Sequence, residues 1–258
     1  MKLYNEYGIQ DVFVMDKQLR LDKYLADMGI GTRSQVKQYI KQGRIKVNNQ
    51  ICKSPEYKVA VGIDEVMLDD DRIDYSPYVY IMLNKPQGVI SATSDGRSRT
   101  VIDLLGDMAR KDLFPVGRLD KDTEGLLLIT NDGDLAHGLL SPKKHVDKVY
   151  YVRVAGRLTD EDKTAFREGI DIGDDTPTLP ADLSVLESGE ISEAQVCIRE
   201  GRYHQIKRMF EALGKKVIYL KRLSMGPLIL DKDLPCGSFR ELTEQEISLL
   251  KKYKTEEL

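Results

Sequence analysis

Apolar and polar positions alternate along this chain in two textures. In Arg20–Asp27, leucines recur at 21 and 25, the spacing of one helical face. Gly29 and Gly31 end that run. Thr32-Arg-Ser-Gln35 reads as a capping box, in which a threonine hydroxyl and a glutamine side chain satisfy orphan amides. The helix it opens carries Val36 and Ile40 and stops at Gly43. Arg44–Val47 alternates as a short strand, and Asn48-Asn49 makes a turn. Asp69–Asp71 marks another turn before Ile73, and Ser76-Pro77 marks a boundary.

From Tyr78 onward, strands alternate with short helices. Tyr80–Leu83 predicts a strand ending at Asn84-Lys85-Pro86, and Thr100–Arg110 a short amphipathic helix. Leu126–Ile129 is continuously apolar between Gly125 and Asn131-Asp132-Gly133, as a strand buried on both faces would be. Helices are expected at Asp134–Leu140 and Asp160–Glu168. Strands are expected at Val146–Val154, Ala194–Arg199 and Val217–Arg222. Thr243-Glu-Gln-Glu246 is a second capping box and opens a C-terminal helix. This mixed order predicts α+β with a largely antiparallel sheet. Residues 1–17 show no strong period: they read as an extra strand, a tail, or a segment upstream of a start at Met15.

Composition narrows the function classes. The 258 residues are 41% hydrophobic and 31% charged, ordinary for a packed domain. No apolar run reaches the roughly 18 residues of a membrane span, so no membrane partner is expected. The three cysteines, Cys52, Cys197 and Cys236, form neither a zinc spacing nor a disulfide framework, so no metal and a reducing cytoplasm are expected. The net charge of -3 conceals an asymmetry. Gln18–Ala60 holds nine Lys/Arg against three Asp/Glu, and Cys197–Arg222 eight against two, whereas Thr159–Glu193 holds two against eleven. Two basic blocks flanking an acidic one suggest two surfaces for a polyanion and one kept from it.

Three segments carry candidate chemistry. Gly117-Arg-Leu-Asp-Lys-Asp-Thr-Glu-Gly125 is a charged loop feeding a buried strand, a common mounting for catalytic groups. It offers three carboxylates, Asp120, Asp122 and Glu124, among which chemistry alone does not choose. In Glu200–Phe210 and its continuation, Ile206, Phe210 and Leu213 share a helical face. His204, Lys207, Arg208, Glu211 and Lys215 lie on the other flank. No Ser or Cys nucleophile pairs with His204, so a hydrolase triad has no support. Lys148-Val-Tyr150-Tyr151 opens an alternating strand.

The stretch RLDKYLADMGIGTRSQVKQYIKQGRIKVNNQ resembles the S4 RNA-binding module. The resemblance implies that Arg20, Lys23, Arg33, Lys37, Lys41 and Arg44 face phosphates. GRLDKDTEGLLLITNDGD, DKVYYV, EGRYHQIKRMFEALGKKV and LNKPQGVIS together resemble the pseudouridine synthase family that includes the small-subunit rRNA enzyme and its large-subunit relatives, over about residues 18–250. That resemblance implies an essential aspartate at Asp120, the family tyrosine at Tyr150, and the aspartate's basic partner at Lys207, where many relatives carry Arg. It implies that Arg118 holds an extruded nucleotide, and it sets Arg202, His204 and Arg208 against RNA.

The implied organisation is an extension (1–17), an S4 RNA-binding domain (18–76) and a catalytic domain (77–258). The implied activity is cofactor-free isomerisation of one uridine in ribosomal RNA, or in a ribosomal assembly intermediate, by a monomer. The stretch GRYHQIKRMFEALGKKV favours 16S rRNA over a large-subunit 23S target. Two further readings stand beside it. One is a non-catalytic S4-type RNA-binding protein. The other is a carboxylate-pair glycosidase, which needs a second acid about 5–10 Å from the first.

Overall fold

A computed structural model describes residues 18–75, 78–141 and 144–255. The extension 1–17 with Met15, and the Ser76-Pro77 boundary, lie outside the described residues. The chain divides into two compact units, Met1–Pro77 and Tyr78–Leu258.

The first unit runs β1 (Gln18–Arg20), α1 (Leu21–Asp27), α2 (Arg33–Lys41), β2 (Ile45–Val47), β3 (Gln50–Ile51), β4 (Lys58–Ala60), β5 (Val66–Leu68) and β6 (Asp71–Arg72). Leu21 and Leu25 of α1 are fully buried with Val36 and Ile40 of α2, and Ile45 and Val59 complete that core. The capping box forms: the Thr32 N–H donates to Gln35 Oε1 at 2.9 Å, and the Gln35 N–H donates to Thr32 Oγ1 at 3.3 Å. Asn48 and Asn49 both adopt positive φ, 51° and 63°, which is what a two-residue turn between β2 and β3 demands. The Tyr24 hydroxyl donates to the Ile73 carbonyl at 2.8 Å, tying α1 to the end of the unit. On the outer face of α2, Arg33, Lys37 and Lys41 recur every fourth residue and are exposed.

The second unit continues with β7 (Tyr80–Lys85), β8 (Phe114–Pro115), β9 (Glu124–Thr130), α3 (Gly133–Leu140), β10 (Lys148–Ala155), α4 (Asp160–Glu168), β11 (Asp182–Glu187) and β12 (Ile191–Ile198). It ends with α5 (Gln205–Ala212), β13 (Lys216–Met225), β14 (Leu228–Ile229), β15 (Phe239–Glu241) and α6 (Glu244–Thr255). Among the described residues these strands form one sheet in the order β11-β12-β10-β13-β9-β7-β15, with β14 on β13 and β8 on β9. Its pairings are antiparallel except that of β13 with β9, so the unit is α+β as the sequence predicts. Leu126–Ile129 of β9 are fully buried. Leu127 and Ile129 join a core with Val152, Phe166 and Phe210; Leu126 and Leu128 join another with Leu135, Leu139, Met225 and Leu250. Cover on both faces explains the unbroken apolar run.

Among the elements that differ from expectation, three lie in the second unit's helices and edge strand. The segment at Thr100–Arg110 is not an amphipathic α-helix but a 3₁₀ segment, Asp103–Met108, broken by Gly106 at φ 54° and ψ -124°. β11 has no counterpart in the sequence reading, because only Leu183 along DLSVLE is buried. The helix expected from residue 200 starts at Gln205, because His204 takes a left-handed conformation that α-helix cannot continue.

The second capping box forms at the start of α6: Thr243 N–H donates to Glu246 Oε2 at 2.8 Å, and Glu246 N–H donates to Thr243 Oγ1 at 3.3 Å. Arg240 on β15 grips both Glu246 oxygens, at 2.8 and 2.9 Å, and Asp231 at 2.8 Å. Chiefly through the Arg240 hydrogen bond, the Glu246 carboxyl falls from 4.5 to about 2. A folded-state pKa below the unfolded value stabilises above the unfolded pKa and is lost as pH falls through the folded one. We therefore expect wild type to melt above Glu246→Gln at pH 6 and the gap to close as pH falls from about 4.5 toward 2. Thermal melts across that range check it.

Candidate active site

The loop before β9 is clamped by its own backbone and by the segment following β7. The Thr123 N–H donates to the Asp120 carbonyl at 3.1 Å, closing a turn. Lys85, the last residue of β7, is fully buried. Its ammonium donates to the carbonyls of Pro86 (3.0 Å), Asp120 (3.0 Å) and Thr123 (2.9 Å). Three acceptors match the three N–H bonds of a charged amine. Burial lowers the Lys85 pKa to about 8, against the opposing pull of Asp120, Asp122 and Glu124. Gly88 N–H donates to the Lys121 carbonyl at 2.7 Å. The Ser91 hydroxyl donates to the Leu119 carbonyl at 2.8 Å and accepts from the Leu119 N–H at 3.0 Å. LNKPQGVIS is thus the cradle that fixes the backbone on either side of Asp120.

Across from this loop, α5 presents Lys207. Its ammonium lies 2.9 Å from Asp120 Oδ2 and 2.6 Å from Asp122 Oδ1. Burial works against the charge of Lys207, but the hydrogen bonds to Asp122 and Asp120 outweigh it and hold its pKa above the ordinary lysine value. Burial likewise opposes the Asp122 anion, and the bond to Lys207 outweighs it, so that carboxyl sits below its usual range. His204 Nε2 is 3.6 Å from Asp120 Oδ1. The third acid of the loop has a different partner: Glu124 Oε2 accepts from the Tyr219 hydroxyl at 2.6 Å. Burial first, then that bond, pushes the Tyr219 pKa up. The geometry therefore separates the three carboxylates that sequence chemistry leaves equivalent.

β9 and β13 pair in parallel over Lys221↔Glu124 and Arg222↔Gly125. Gly125 has φ +101°, and a Cβ there would meet the Arg222 carbonyl oxygen at 2.3 Å. Directly opposite Arg222 on β10 is Tyr150. Tyr150 is 7% exposed and packs in the core that also holds Leu119.

Residues 79–212 match the family model described as RNA pseudouridylate synthase, and residues 19–63 match the S4 domain. The chain belongs to the RNA pseudouridylate synthase family. An uncharacterized RNA pseudouridine synthase of Bacillus subtilis is 46% identical over 90% of this chain and 98% of its own length. The ribosomal small subunit pseudouridine synthase A of Haemophilus influenzae is 39% identical over 91% of this chain and all (100%) of its own. The ribosomal large subunit pseudouridine synthase B of Bacillus subtilis is 38% identical over 90% of this chain and 95% of its own. A crystal structure of a pseudouridylate synthase superimposes with a TM-score of 0.64, at 39% identity over 90% of this chain and 99% of that one.

In this pseudouridine synthase the residues expected to meet RNA divide into two groups. Arg33 and Lys41 on α2, and Arg118 in the loop before β9, are exposed and have no ion-pair partner among the described residues. Lys37 keeps only a 3.9 Å approach to Asp22. The others are occupied within the chain. Arg20 binds Asp22 at 2.9 Å, Lys23 binds Asp27 at 2.7 Å, and Arg44 binds Asp69 at 2.6 Å. Arg202 donates to the carbonyls of Thr176 (2.6 Å) and Pro177 (2.8 Å), and Arg208 to Asp174 Oδ1 (2.6 Å) and the Ile172 carbonyl. These two arginines fasten the acidic 171–177 loop onto α5 and the turn before it. Lys85 and Ser91 were not singled out by the sequence reading; the KPQGVIS match was the available signal.

Lys85→Met would leave the carbonyls of Pro86, Asp120 and Thr123 without that donor, at about 1–3 kcal/mol for each one left unpaired. We expect a lower denaturation midpoint and a reduced kcat, read by urea melts and single-turnover kinetics.

Proposed function

We propose that this chain converts a uridine of ribosomal RNA to pseudouridine, and that its target lies in small-subunit 16S rRNA. The observation that carries the reading is the Asp120 carboxylate, 28% exposed, held on a clamped backbone 2.9 Å from the Lys207 ammonium. The reaction breaks the C1′–N1 bond, turns the uracil and joins C1′ to C5; the proton leaving C5 is balanced by one gained at N1. Asp120 acts at C1′ as its carboxylate, with the Lys207 ammonium 2.9 Å away. The target base must first leave its stack, at a cost of a few kcal/mol. In this reading Arg118, exposed two residues before Asp120, engages the displaced nucleotide. Tyr150 supplies an aromatic surface for the uracil and a group to assist C5 deprotonation.

Support for the small-subunit target comes from the likeness to the Haemophilus influenzae enzyme over its whole length and from the stretch GRYHQIKRMF. The large-subunit enzyme of Bacillus subtilis is nearly as similar, so 23S rRNA is the rival substrate. Incubation with naked 16S rRNA, naked 23S rRNA and assembling subunits, followed by mass-shift mapping of pseudouridine, decides between them. Formation in 23S alone would overturn the small-subunit reading.

Asp120→Asn should abolish conversion while leaving RNA binding intact. Lys207→Arg should retain more activity than Lys207→Ala, because a cation at this position matters more than its shape. Tritium release from C5 measures both. Replacing Arg33, Lys37 and Lys41 together by alanine should weaken RNA binding and flatten its log–log salt slope by about 2, the effect of about three lost contacts to single-stranded phosphate. Filter binding at several salt concentrations reads that slope.

A further inference from the structure

The turn leading into α5 carries two rings that the catalytic scheme does not use. Tyr203 is 76% exposed. Its ring lies flat on the imidazole of His204, with centroids 3.9 Å apart and planes 17° apart. His204 holds a left-handed backbone, φ 48° and ψ 32°, which a β-carbon makes unfavourable. The neighbouring bonds enforce it. The Arg202 N–H donates to Gln205 Oε1 at 2.9 Å, and Gln205 is buried and donates to Glu200 at 3.0 Å. Arg208 donates to the Tyr203 carbonyl at 3.2 Å, and its own N–H donates to the His204 carbonyl at 3.0 Å. A strained turn kept rigid by this many bonds, and used to hold an aromatic ring in water, is an outlier that asks for a ligand.

The inner ring of the stack gives its direction. His204 Nε2 lies 3.6 Å from Asp120 Oδ1, so one end of the pair touches the reactive carboxylate while the other faces solvent. An open aromatic face beside the reacting sugar suits a planar ligand, and a base turned out of its stack leaves its neighbours exposed. Aromatic side chains bind such bases by stacking, with little regard to sequence.

The geometry points to Tyr203 as a stacking platform for a nucleobase flanking the target uridine, with His204 as the rigid backing that sets its height above Asp120. The inference rests on the pseudouridine synthase reading. Tyr203 is a positioning residue in it and touches no reacting atom. A stack equally present in the ground and transition states changes KM and leaves kcat alone.

The test uses the full chain and an rRNA fragment that the wild type converts, prepared intact and with an abasic nucleotide on the 5′ or the 3′ side of the target. We expect Tyr203→Ala to raise KM about tenfold with kcat nearly unchanged and the same melting temperature, and Tyr203→Phe to behave as wild type. The wild type should lose a similar factor when the base on one side is removed. Combining that RNA with Tyr203→Ala should cost little more than either change alone. Wild-type kinetics for Tyr203→Ala, equal damage from Phe and Ala, or losses that multiply at both flanking positions would overturn the inference. A wild type that converts no rRNA would remove the functional reading itself, and that result appears only in the control arm.

Discussion

The site depends on one short parallel contact. Asp120 and Lys207 stand 87 residues apart, and they meet because β13, which follows α5, lies alongside β9, which follows the Asp120 loop. That pairing spans only Lys221↔Glu124 and Arg222↔Gly125 within an otherwise antiparallel sheet. It closes only because residue 125 has no side chain to strike the Arg222 carbonyl. The buried run of β9 and the cradle of Lys85, Gly88 and Ser91 then hold the loop where the contact sets it. Groups fixed before substrate arrives need no reorganisation during the reaction, which is what makes an ion pair on this framework useful for catalysis.

The electrostatics of the cluster extend beyond a simple pair. Lys207 faces two carboxylates, and Asp122 takes the shorter bond while being 70% exposed. An Asp120 that attacks C1′ becomes an ester, and one that accepts a proton becomes an acid; either way its charge disappears. Asp122 then remains to hold the ammonium charged and in place. The same arrangement suits either chemistry, and it follows from two acids spaced i and i+2 on a turn whose backbone carbonyls face Lys85.

What the sequence discloses here follows from how far each signal reaches. The capping boxes at Thr32 and Thr243, the Asn48-Asn49 turn and the β9 run are decided by residues within a few positions, and all appear as expected. The 3₁₀ segment at Asp103 eluded the pattern because one glycine conformation breaks it. β11 eluded it because a mostly exposed strand has almost no apolar alternation to show. The choice of Asp120 over Asp122 and Glu124 needs partners 85 to 95 residues away, so only the family resemblance singled it out. The start of α5 at Gln205 likewise depends on Arg202, Arg208 and Glu200, none of which is a local helix signal.

Charge counting shows the same limit from the other side. Two basic blocks suggested broad polyanion surfaces, yet Arg20, Lys23 and Arg44 are countered within the first unit, and Arg202 and Arg208 within the second. The acidic stretch that seemed set apart from RNA supplies Asp174, which takes up both of those arginines. A cation already paired releases fewer counterions on meeting a phosphate, since its own carboxylate must first be displaced. Of the cations expected to meet RNA, Arg33, Lys41 and Arg118 have no ion-pair partner among the described residues, so a phosphate meeting them displaces no carboxylate. Phosphate contacts of this kind fix register without reading sequence, so discrimination among RNAs rests on contacts other than these.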